Sequence, residues 1–240
     1  MGLSLLQDRM RGIMIQLQTK FSRQVDEHNV LPEYPRPSLV RTSYLNLNGR
    51  WECAFSKTPE IPLSFDLSIL VPFSPECQLS GVSRQLKPGE YLWYRRTIPL
   101  AKPQQDKRIL LHFGAADQTA EVFVNRISAV RHCGGYLPFS ADITDYLQEG
   151  DNELIVRIQD ESNKQSLKPG GMFYTAQSGL WQTVWMEIAP VNYIEQIFYH
   201  TDYDQGLVHL KVLTQHSAPV ECVISGKDME PICINGITNS

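Results

Sequence analysis

Short runs with a two-residue apolar period recur along this chain from about residue 48 to residue 225, each closed by Gly, Pro, Asn or Asp, with no helical period between them. Successive strand side chains point to opposite faces, so such runs build sheets rather than helices. Arg50-Trp51-Glu52-Cys53-Ala54-Phe55 follows an Asn48-Gly49 turn, and 92–98 follows Lys87-Pro88-Gly89-Glu90. The compact apolar run 107–113 ends at Gly114 and predicts a central strand buried on both faces. Further strands are predicted at 69–71, 120–125, 128–132, 153–159 and 182–188. Strands at this spacing predict an all-β fold, a β-sandwich or jelly roll. Trp51, Trp93 and Trp185 fall in alternating strands and are expected in its packed interior, as is His112.

Three stretches depart from that pattern. Leu6, Met10, Ile13, Leu17 and Phe21 recur at three- and four-residue spacing, which predicts an amphipathic helix over 3–28, within an N-terminal unit 1–30. Three prolines between Leu31 and Pro37 predict a linker or an extended strap. After Pro190 the strand pattern restarts at 193–199, 207–214 and 219–225. An immunoglobulin-like sandwich needs about 100 residues, so 191–240 is expected to be a partial one, with uncovered edges around Cys222, Val223 and Ile224. Residues after about 190 are accordingly expected to be mobile and protease-sensitive.

The bulk numbers narrow the function classes. With 22 basic and 26 acidic residues the net charge is −4, which offers no field for nucleic acid or an anionic membrane. Neither partner is expected. No leader peptide or membrane span is expected either. The five cysteines are odd in number and form no CxxC pair. They read as reduced thiols, which predicts an intracellular, cytoplasmic protein with no metal site. No cofactor motif is present.

The segment 160–179 is long and poor in strand residues; loops of that length in a compact domain are usually functional or disordered. Phe173, Tyr174 and Trp181 could stack on the C–H faces of a sugar or pack the loop onto the sandwich. Asp160, at a strand end, could orient the loop or reach a ligand, the former being the safer reading. Asp142 with Asp145, Glu149 with Asp151, and Asp160 with Glu161 read as solvated turn carboxylates rather than an acid and nucleophile pair. No Gly-x-Ser-x-Gly motif occurs. Arg95 and Arg96 point to opposite faces of one strand, and the inward one is expected to pair with a buried carboxylate such as Glu121 or Asp117.

Eight segments, in order, carry a resemblance. They are 47–51 (Leu-Asn-Gly-Arg-Trp), 71–73 (Val-Pro-Phe), 92–96, 111–115, 122–125, 134–139 (Gly-Gly-Tyr-Leu-Pro-Phe), 142–145 and 178–185 (Ser-Gly-Leu-Trp-Gln-Thr-Val-Trp). Together they resemble the N-terminal part of family 2 glycoside hydrolases, which include β-galactosidases, β-glucuronidases and β-mannosidases. The resemblance implies a galactose-binding-like jelly roll over 31–190, followed by the start of an immunoglobulin-like domain. Such proteins place their two catalytic glutamates in a barrel of about 250 residues, for which this sequence has no room. Retaining hydrolysis needs two carboxyls about 5–5.5 Å apart. The chain alone is therefore expected to be inactive, and the barrel to be supplied in cis or in trans. A terminal β-linked carbohydrate is the implied ligand, with Phe173, Tyr174, Asp160 and Trp181 as candidate contacts. Galactosidases and glucuronidases of the family carry an aspartate where Phe173 stands, so a strict assignment to either does not carry over. A stand-alone carbohydrate-binding module and a domain docking on a barrel-bearing chain are the alternatives.

Overall fold

The structure, a computed structural model, describes residues 19–36, 38–101, 105–161 and 176–238. Two antiparallel sheets make the body. One has six strands in the order β3 (Leu67–Val71), β2 (Gly49–Ser56), β4 (Tyr91–Leu100), β10 (Gly150–Gln159), β7 (Thr119–Val124), β8 (Ile127–Cys133). The other has four: β1 (Tyr44–Asn46), β12 (Val184–Pro190), β5 (Lys107–Phe113), β9 (Phe139–Asp142). A short ladder of β6 (Ala116–Asp117) with β11 (Gly179–Leu180) closes one end.

Alternation explains the core. Trp51, Tyr94 and Val156 from the larger sheet meet Leu111, Phe113 and Met186 from the smaller in one buried cluster. The odd residues of β4 face outward. There Trp93 packs with Ala54, Phe65 and Ile155 beneath the 57–66 connection, its indole N–H on Ser56 Oγ at 3.0 Å. All three strand tryptophans are buried, as expected, but in three different places.

The strap reading of the Pro-rich stretch holds. Residues 30–36 and 38–41 lie over the outer face of the smaller sheet and bury a polar cluster there. Glu187 is fully buried. It accepts from the Tyr34 hydroxyl, pairs with Arg41 Nε at 2.6 Å and lies 3.4 Å from His112 Nε2. Arg36 Nη2 is 2.9 Å from His112 Nδ1, and His112 stacks on Trp185 at 4.9 Å. Burial pushes the Glu187 carboxyl up, but the hydrogen bonds and neighbouring positive charge outweigh it and hold it at about 2. His112, mainly through burial, is lowered. It is a hydrogen-bonded buried histidine, as the sequence predicted.

Two expectations are corrected. Residues 3–18 of the predicted helix lie outside the described residues; over 19–28 the chain forms only a 3-10 turn at Ser22–Gln24, with no buried residue. No apolar stripe there finds a surface, and packing rather than propensity stabilises most helices. The arginine pairing also differs. The inward Arg96 donates Nη1 to the carbonyls of Leu47 (2.6 Å) and Asn48 (2.9 Å), and the outward Arg95 holds Glu52 at 2.7 and 2.8 Å. Glu121 instead pairs with Arg131 and Arg157. A guanidinium has five donors, so backbone carbonyls can satisfy it without a carboxylate.

The C-terminal strands form two separate hairpins: β13 (Ile194–Asp202) with β14 (Leu207–Thr214), and β15 (Pro219–Gly226) with β16 (Met229–Ile237). β16 was not foreseen. Val191 N donates to Asp106 O at 3.1 Å and Arg41 Nη2 to Ile194 O at 2.7 Å, which ties the first hairpin to the sandwich.

Candidate functional site

The end of the sandwich where the chain leaves at Asp160 and returns at Ala176 gathers the candidate residues. The return is clamped. Pairing of β6 with β11 sets Gly179 opposite Asp117. A Cβ at Gly179 (φ +84°) would lie 2.2 Å from the Tyr94 hydroxyl, so only glycine fits. That hydroxyl accepts from Leu180 N at 3.1 Å, and burial pushes its pKa well up. Buried Glu76 accepts from Ser178 N (3.1 Å), Ser178 Oγ (2.7 Å) and Leu86 N (3.3 Å). Burial raises its pKa although those hydrogen bonds work against the rise.

Asp117 is the electrostatic centre of this end. Burial first, then the negative charges of Asp160 and Glu76, push its carboxyl up to about 6. Gly135 presses against it: a Cβ there would meet Asp117 Oδ1 at 2.7 Å. The same turn meets Trp181, whose indole N–H donates to Gly135 O at 2.7 Å. Tyr136 leans edge-on against Trp181 (5.9 Å, 75°) yet is 79% exposed. An aromatic ring held from behind, beside a carboxyl poised near neutrality, is suited to a polyol: C–H faces stack on the ring and hydroxyls exchange hydrogen bonds with the carboxyl.

Of the predicted residues, Asp160 is buried at the end of β10, where loop orientation was expected. Trp181 is half-buried and packs the 134–136 turn. Phe173 and Tyr174 lie outside the described residues. Tyr136 and Glu76 were missed, and Asp117 was considered only as an arginine partner. The Gly134-Gly135 pair was the available signal, since adjacent glycines permit close backbone approach. Asp142 accepts from Thr144 N (3.0 Å) and belongs to its turn. Among the described residues no three His, Cys, Asp or Glu side chains converge as metal ligands would.

The profile of "Glycosyl hydrolases family 2, sugar binding domain" matches residues 84–190. A β-glucuronidase of Rattus norvegicus is 31% identical over 157 residues, covering 53% of this chain and 24% of that protein. A β-galactosidase of Thermoanaerobacter pseudethanolicus is 29% identical over 119 residues, 48% of this chain and 16% of that protein. The solved Lactobacillus rhamnosus β-glucuronidase shares the fold at TM-score 0.69 and 24% identity, over 86% of this chain and 40% of that one. The chain thus spans less than half the length of each. The family match falls on the part of the sandwich that holds Asp117, Tyr136, Asp160 and Trp181, and the chain carries the sugar-binding domain of the glycosyl hydrolases family 2.

Proposed function

We propose that this chain is the sugar-binding region of a glycoside hydrolase that releases terminal β-linked sugars, and that a barrel joined in cis or docked in trans supplies the two catalytic carboxylates. The observation that carries the reading is the clamped end of the sandwich, where Tyr136 stands exposed on Trp181 beside the half-buried Asp117. In this reading the terminal sugar meets Asp160, Trp181, Phe173 and Tyr174, with Tyr136 and Asp117 added to the set. The five free cysteines fit a reducing compartment, and we place the protein in the cytoplasm.

The test is an assay of aryl β-glucuronide, β-galactoside and β-mannoside cleavage by the homogeneous 240-residue chain, alone and mixed with a relative's barrel stripped of its own sugar-binding domain. Turnover is expected only in the mixture, and less of it with Tyr136→Ala. Robust turnover by the chain alone, or a barrel indifferent to its presence, would overturn the reading.

A further inference from the structure

Away from that end, a groove of about 660 Å³ runs between the strap, the contact of Gly114 with Gln182 and the start of β13. Its volume falls in the range of small-ligand sites, roughly 300–1,000 Å³. Trp185 closes the floor beneath Arg36, whose guanidinium lies 5.7 Å from the indole centroid. Phe139 adds an apolar wall, stacked on Phe113 at 4.7 Å and on His132 at 4.3 Å. Gln182, Glu195 and Gln196 line the groove as exposed polar groups.

We infer that this groove is a second saccharide-binding site, taking one or two uncharged pyranose rings. Charge excludes most other small ligands. Arg36 and Glu195 are the charged residues lining the groove and they cancel, so neither a phosphate nor a cation is favoured. The amides and hydroxyls make it too polar for an acyl chain. The half-buried edge of Phe139, flanked by amide donors and acceptors, gives the mixed apolar and polar lining that suits a polyol with C–H groups.

The groove is also built, which limits the ordering cost of binding. Arg36 is held by His112 Nδ1, which Ser140 Oγ also meets at 2.5 Å. The far wall is fixed by the Val191–Asp106 and Arg41–Ile194 hydrogen bonds. A Cβ at Gly114 would sit 2.7 Å from Gln182 Cβ, so glycine there is what lets Gln182 reach its place. A second foothold on an oligosaccharide would raise the effective concentration of its terminal sugar at the first. The inference needs no hydrolytic activity and stands apart from the reading of the clamped end.

Calorimetric titration of the 240-residue chain with cellobiose, lactose and sodium glucuronate tests it. A neutral disaccharide should bind with a dissociation constant on the order of 1 mM. The Gln182→Ala, Gln196→Ala double variant should weaken that binding at least about tenfold, and Glu221→Ala, outside the groove lining, should leave it unchanged. Both glutamines are exposed, so folding should persist, checked by circular dichroism. Amide hydrogen exchange of the unaltered chain gives a second readout, with saccharide protecting 182–197. No heat from either disaccharide up to about 10 mM, stronger groove binding of glucuronate, or binding lost only in Tyr136→Ala would overturn the inference.

Discussion

The sandwich and the C-terminal hairpins have the same strand chemistry and opposite burial. β4 and β10 pair over nine residues and bury Leu92, Tyr94, Val156 and Ile158 between two sheets. β15 and β16 pair almost as long, and Cys222, Ile224, Ile232 and Ile234 line one face of the ladder, yet Ile232 and Ile234 remain about half exposed (50% and 52%). Backbone hydrogen bonding is nearly equal in the two regions. What differs is a second sheet to cover the apolar face, and a lone two-stranded ribbon is marginal in water without one. Covering the face, not closing the ladder, separates a core from a hairpin.

Glycines at positive φ in both regions give the largest effect. Gly179→Val should cost about 4 kcal/mol or more in urea unfolding, since a Cβ would collide with the buried Tyr94 hydroxyl as well as strain the backbone. Gly206→Ala, in the β13–β14 turn at φ +65° with open space around it, should cost only about 1 kcal/mol. Comparable losses would show that packing does not distinguish the regions.

Next comes Glu187→Ala, which leaves the buried Nε of Arg41 without its carboxylate and should cost about 3–5 kcal/mol. The matching change in a hairpin, Glu221→Ala, should stay within about 0.5 kcal/mol. Because the Glu187 carboxyl is held at about 2 against an ordinary 4.5, its contribution is present above pH 4.5 and is lost as the pH falls toward 2. Acid titration of the unaltered chain should therefore loosen the strap before the main core.

Asp117 has the opposite sign. Its folded value of about 6 lies above the ordinary 3.8, so above pH 6 the folded state carries a charge that burial disfavours. The penalty shrinks as the pH falls and is gone below about 4. Asp117→Asn should raise stability at pH 7.5 by about 1 kcal/mol after solvent screening, with no gain at pH 3.5. A gain independent of pH would mean that the carboxyl is not the cause. The smallest effect is Ile234→Thr on the uncovered ladder, expected within about 0.5 kcal/mol.

Alternation made most of the sandwich legible: β2, β4, β7 and β10 fall where the period-two runs stand, and β5 where the compact apolar run 107–113 does. Three things were hidden for physical reasons. Glu187 sits in a strand whose outer face should be wet, and only the fold shows that a strap from 150 residues away covers it. β6 and β11 are two residues long, too short for any period to register. At the candidate site, strand-end position and aromatic type singled out Asp160 and Trp181 as candidates in the sequence. Asp117 was not, because its elevated pKa comes first from burial in the fold and then from Asp160 and Glu76, which are distant in sequence.

The Tyr94–Leu180 and Glu76–Ser178 bonds fasten the downstream foot of the 161–178 segment to the sandwich, independently of what lies within it. Entropy of closing a loop grows only slowly with its length. The intervening residues can then be exchanged as a cassette: a graft of another length, spliced between Glu161 and Gln177, should inherit a finished socket without disturbing the shell.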